Sequence, residues 1–183
     1  MTKGNVRYED AAKFAPVVFE QVWGEKPGGG LIANPEYEVK QGTAVYADGS
    51  KFKPIKGYRL AKNHNGENAS IFIEKGSGVA VGDVIGYGTK SAAVQLIVEH
   101  ADMDEVQVNV SEMMLKGRVL YQAQAPSTSA AKPIGNPVYI VGNDVPAGEG
   151  DQPVRLINGA NLRKETAPVA PEVVALMKNI NLV

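Results

Sequence analysis

A mainly β protein is expected from three features of the chain. Short runs of alternating or β-branched residues recur, glycine stands at most breaks between them, and an Asp48-Gly49 dipeptide joins two such runs. Together they predict a small β-barrel or sandwich body with a short N-terminal helical turn and a C-terminal β-hairpin plus helix. A chain of 183 residues suffices for one core or for a body with a small appendage, and we expect the second.

Residues 1–30 read as an N-terminal arm. Within it "EDAAKFA" (9–15) allows about two helical turns before Pro16, which disfavours helix in the residue ahead of it. The following "VVFEQVWGEKPGGG" reads as extended and then flexible at Gly28–Gly30. Phe14, Phe19 and Trp23 are either core residues of an N-terminal strand or anchors that dock the arm on a partner.

Residues 31–122 form the expected body. "GTAVYADGSKFKP" is its clearest hairpin, turning where Asp-Gly accepts positive φ, and "ASIFIEK", "GVAVGDVIGYG", "SAAVQLIV", "EVQVNV" and "GRVLYQ" continue the strands. "DMDE" and "SEMMLKG" read as single helical turns. Residues 123–136, "AQAPSTSAAKPIGN", hold no Phe, Tyr or Trp and have linker composition. In 137–183, "PVYIVG" and "QPVRLING" are two strands separated by the turn-rich "NDVPAGEGD". "GTAVYADG" and "GNPVYIVG" share a G-x-x-V-Y-x-x-G spacing, a mark of a duplicated hairpin unit.

The chain closes on "APEVVALMKNINLV". Read as a helix beginning near Pro171, it places Val173, Leu176, Met177 and Ile180 on one face. An isolated helix under about 12–15 residues is marginal in water, so that face must meet this chain's own body or the tail of another copy. We expect the second, which makes the four residues an oligomer interface.

Chemistry-bearing motifs are sparse. A formal net charge of −1 gives no global reason to seek nucleic acid or an anionic membrane. The lysines of "KFKPIKGYRLAK" are read as a solvated hairpin that resists edge pairing rather than as a nucleic-acid site. No cysteine is present, the start has no apolar signal-peptide core, and "AAVQLIV" is too short to span a bilayer. His64, among turn formers, reads as a solvated loop residue. His100 lies near Glu99, Asp102 and Asp104, but no metal-ligand spacing surrounds it. Neither a G-x-S-x-G elbow nor a phosphate-binding loop occurs. Hence no enzyme, cofactor or metal site is expected, and a carbohydrate- or ligand-binding β module is the alternative to a structural role.

"DQPVRLINGANLRKETAPVAPEVVALMKNI" resembles the C-terminal signature of the phage head fibre family, particularly members from gut phages infecting Bacteroides and relatives. "VRYEDAAKFAPVVFEQVWGE" and "GTAVYADGSKFKPIKGYRLAK" are similar to it as well. The resemblance implies a non-catalytic structural protein of a bacteriophage virion, made in the host cytoplasm and displayed on the outer capsid surface. It implies contact with the major capsid protein or other capsid components; the aromatic stretch ahead of the flexible glycine run makes residues 1–30 the expected anchor. It also implies a homo-oligomer, trimer in preference to dimer. The absence of heptads and of long Gly-x-y repeats leaves a long fibre or a compact knob open.

Overall fold

The computed structural model describes residues 17–183. The helical turn expected over 9–15, with Phe14, lies outside the described residues. In chain order the elements are β1 (Phe19–Glu25), β2 (Gly30–Ile32), β3 (Ala44–Asp48), β4 (Lys51–Pro54), β5 (Gly57–Arg59), β6 (His64–Asn65), β7 (Ser70–Glu74), β8 (Val84–Tyr87) and β9 (Lys90–Ala93). There follow β10 (Leu96–Glu99), β11 (Met103–Gln107), β12 (Met113–Met114), β13 (Val119–Gln122), β14 (Pro137–Val141), β15 (Gln152–Val154), β16 (Leu156–Leu162), α1 (Pro171–Val174) and β17 (Ile180–Leu182). The protein is mainly β, as its alternating pattern predicts.

The largest sheet has eight strands and curls into a half-barrel, ordered β1-β16-β14-β3-β4-β2-β15, with β17 parallel to β16. Both of its faces are apolar, because successive residues of a strand point to opposite sides. Ala44, Ile140 and Ile157 enter one core with the C-terminal tail, while their neighbours Val45, Val141 and Leu156 enter another with Ile32 and Phe52. A four-stranded sheet, β5-β13-β8-β9, and a three-stranded one, β10-β11-β7, enclose a third core around Tyr58, Ile71, Ile85 and Val106.

This arrangement corrects the expected division of the chain. Residues 137–183 are not a separate element: β14 pairs with β3 and β15 with β2, so C-terminal strands lie inside the sheet that the early strands begin. The stretch 123–136 is fastened rather than free. Ser127 exchanges backbone bonds with Ser91, Gln124 donates to the Lys132 carbonyl, and Ile134 donates to the Gln122 carbonyl. Its small side chains permit that close approach. The arm is likewise woven in from Val18 onward, and Gly28–Gly29 form a tight turn in which the Gly29 N–H donates to the Lys26 carbonyl at 3.0 Å. "SEMMLKG" supplies strand β12, and "DMDE" leads into β11, in place of helical turns.

The tail is also corrected. Its helix is one turn, Pro171–Val174, after which the chain runs to β17 against β16. β-branched Val173, Val174 and Ile180 and the asparagines at 179 and 181 favour helix poorly, and Asn181 Nδ2 donates to Asn161 Oδ1 at 3.1 Å. Glu172 docks the turn, since its Oε1 accepts from the Gly88 N–H at 3.1 Å and from Arg118 at 3.0 Å. Val173, Met177 and Ile180 are buried in this chain's own core, and only Leu176, 54% exposed, faces outward. An oligomer interface made of all four is therefore excluded.

The chain crosses from the largest sheet to the four-stranded one between Pro54 and Gly57, and a half-buried carboxylate sits at that seam. Asp83 Oδ2 accepts from Lys56 Nζ at 2.8 Å, from the Tyr58 hydroxyl at 3.0 Å and from the Ala80 N–H at 3.0 Å. Its Oδ1 accepts from Gln122 Nε2 at 3.3 Å. The Lys56 and Asp83 side chains are only 13% and 11% exposed, which departs from the solvated lysine face expected there.

Two predictions follow from this packing. Met177→Ala should cost about 2 kcal/mol or more, whereas Leu176→Ala should stay within about 0.5 kcal/mol of the parent; urea unfolding of each variant checks the contrast. Burial, then the Asp83 charge, hold the Tyr58 hydroxyl well above the ordinary tyrosine range, and Tyr37 is raised in the same way. An unfolded tyrosine ionises near pH 10, so above that value the unfolded chain releases protons that the folded chain keeps. Stability should be level to about pH 9 and fall as pH rises beyond about 10, by up to about 1.4 kcal/mol per pH unit per tyrosine. Urea titrations across this range measure it.

Candidate docking surface

β1 carries the exposed aromatic that the sequence singles out. It is an edge strand whose partner is β16, and its other edge is unpaired among the described residues. The pairing slips at three places, between Phe19 and Gln21, Val22 and Gly24, and Gly24 and Glu25. Such bulges re-aim side chains and blunt an edge against adding further strands. What the strand offers a partner is therefore side-chain surface more than backbone.

Phe19 and Trp23 divide between the two roles left open for them. Phe19 is half-buried and packs against the core that holds the tail. Trp23 is 51% exposed, and elsewhere on the segment Val22 and Val17 are exposed at 37% and 52%. The indole lies over Gly159, where an added Cβ would meet Trp23 Nε1 at 2.5 Å, so glycine is what lets the ring rest on the sheet. Val22, also exposed on this strand, was not singled out in the sequence, because one valine in an extended run does not reveal which way it faces.

Ion pairs hold both ends of the strand. Arg155 donates to Glu25 Oε2 at 2.8 Å, and Arg163 pairs with Glu20. The Arg155 hydrogen bond keeps the Glu25 carboxyl below its usual range. The Thr166 hydroxyl donates to the Val17 carbonyl at 2.6 Å, fixing the point where the strand begins. The result is an exposed indole on a secured strand, rimmed by balanced charge, a composition suited to protein contact.

The remaining sequence candidates resolve differently. His64 is buried, not solvated, with Nε2 3.0 Å from the Val110 carbonyl oxygen. His100 is exposed beside Glu105, and Asp104 turns away from it to Lys75. Lys51 and Lys53 pair with Asp151 and Asp48, and Lys62 lies 3.9 Å from the Phe72 ring centroid.

Comparisons of the chain with protein-family models, with curated proteins and with solved structures return no match. If Gly159 seats the indole, Gly159→Ala should displace it: Trp23, the single tryptophan, should show red-shifted emission and stronger quenching by acrylamide, with the β far-UV spectrum unchanged.

Proposed function

We propose that the protein is a non-catalytic structural component of a bacteriophage virion, a head fibre or decoration protein on the outer capsid surface that attaches through the β1 face. The observation that carries this reading is Trp23, half exposed on a strand secured at both ends, within a segment that resembles the head fibre family. Tryptophan anchors surrounded by a rim of polar groups dominate many protein interfaces. Because the strand is locked into the sheet, little side-chain or backbone order is lost when it docks. The partner is the major capsid protein or another capsid component, and the rest of the β body projects away from it as a compact knob. The homo-oligomer implied by the resemblance belongs to the same reading, with trimer preferred to dimer.

Purified particles provide the test. The protein should copurify with intact virions in stoichiometric copies, and Trp23→Ala should lower occupancy by at least about tenfold, the effect of losing a contact worth 1.4 kcal/mol or more. Its far-UV spectrum and unfolding midpoint should match the parent. Full occupancy by folded Trp23→Ala would place the anchor elsewhere, and absence of the parent protein from particles would defeat the virion assignment. Saturable glycan-array binding that depends on Trp23 would favour the carbohydrate-binding alternative.

A further inference from the structure

On the four-stranded sheet, below the tail, lies a groove of about 760 Å³. One wall is the segment Met113–Gly117 and the other includes Lys164, Val169 and Leu182. The first wall is held in place by several bonds. β12 pairs with β6, the Lys116 N–H donates to Asn63 Oδ1 at 2.8 Å, and the Gly117 N–H donates to the Leu60 carbonyl. That bracing presents Met113 and Leu115 to solvent at 75% and 69% exposure. Two large apolar side chains held outward beside a groove mark a surface that something covers.

The charges of the groove say what kind of surface that is. Its two guanidiniums are already committed. Arg59 donates to the carbonyls of Gly117 and Ala167, and Arg118 donates to Glu172. Arg59, Lys116, Arg118 and Lys164 line the groove against the carboxylates of Glu165 and Glu172, so positive charge is in excess, and Lys116 and Lys164 make no salt bridge among the described residues. An occupant must bring both apolar side chains and carboxylates.

This chain carries such a segment. The β10–β11 hairpin exposes Leu96 and Val98, 51% and 44%, and at its tip Glu99, whose side chain is 83% exposed, and Asp102. Lys75 is shared by Glu99 and Asp104 but lies closer to Asp104, at 2.5 Å against 3.4 Å, so negative charge at the tip remains uncompensated. Four register pairs fix β10 on β11, and five fix β11 on β7, so the hairpin is a firm projection. None of the groove's lining residues comes from it.

We infer that the groove of one copy receives the β10–β11 hairpin of a second copy, with Lys116 and Lys164 facing Glu99 and Asp102 while Leu96 and Val98 cover Met113 and Leu115. One kind of contact, repeated around a symmetry axis, then builds the homo-oligomer. Opposite potentials on the two patches steer the encounter and set its register. This contact replaces the tail face as the self-association surface, and it does not rest on the capsid assignment, because it is read in free protein.

Charge exchange in the full-length protein tests it. Lys116→Glu with Lys164→Glu, and separately Glu99→Lys with Asp102→Lys, should each reduce the mass seen by light scattering from oligomer to monomer. All four residues are exposed, and an unchanged far-UV spectrum and unfolding midpoint would show that each variant is folded. The chain bearing all four substitutions regains the complementarity with its signs exchanged and should recover the oligomer mass. A monomeric parent, pairwise variants that keep the oligomer mass, or a four-substitution chain that stays monomeric would each overturn the inference.

Discussion

The Asp83 carboxylate is the constraint that fastens the Pro54–Gly57 crossing to the four-stranded sheet. A charge taken out of water at this depth is tolerated only when it is paired and its oxygens are satisfied. Asp83 meets that condition by gathering Lys56 from the crossing strand connection, Tyr58 from β5, Gln122 from β13 and the Ala80 N–H from its own loop. Each donor comes from a different place in the chain, so satisfying one carboxylate aligns them all. Tyr37, between β2 and β3, adds its ring 5.6 Å from Lys56 Nζ and packs where a Cβ on Gly78 would otherwise stand. This is one of several polar contacts near the crossing, with Arg59 on the Ala167 carbonyl and Arg118 on Glu172 fastening the tail to the same four-stranded sheet.

That seam bears on how the C-terminal tail is secured. With the four-stranded sheet fixed, Gly88 and Arg118 are in place to bind Glu172, and Glu172 brings the helical turn down so that Val173 and Met177 close the core. The turn in its turn sets β17 beside β16, opposite the edge that β1 occupies. Thus the strand that presents Trp23 and the tail that ends the chain are supported by the same β16. Surfaces available to partners are what this framework leaves outside: the β1 face, the groove and the β10–β11 hairpin.

The fold class was legible because alternation is a local property, and "GTAVYADGSKFKP" became β3 and β4 with Gly49 at φ 62° in the turn. The shared G-x-x-V-Y-x-x-G spacing also had a physical counterpart, since its two copies are β3 and β14, antiparallel neighbours in the middle of the largest sheet. Pairing across the chain was not legible. Nothing in Gly30–Ile32 announces Gln152–Val154 as its partner, so a linker drawn at 123–136 on composition divided strands that belong together. Lys56 looked like the other lysines of its segment, yet it alone is buried, because its partner stands 27 positions later. The tail's i, i+3, i+4 pattern correctly marked an apolar face at Val173 and Met177, but it could not choose between the chain's own core and another copy. Of the candidate site, Trp23 was legible as an aromatic on an extended run, whereas the groove and hairpin arise from folding that brings distant segments to the surface.

Equilibrium urea unfolding of Asp83→Asn bears most directly on this account. The substitution keeps the shape of the side chain, removes its charge and leaves the Lys56 ammonium buried without a counter-ion. The predicted result is a loss of about 3–5 kcal/mol, the range for breaking a buried pair from one side, with Lys56→Met recovering part of it in the double variant. A stability within about 0.5 kcal/mol of the parent, the range of an ordinary surface change, would contradict the claim that this carboxylate fastens the crossing between the sheets.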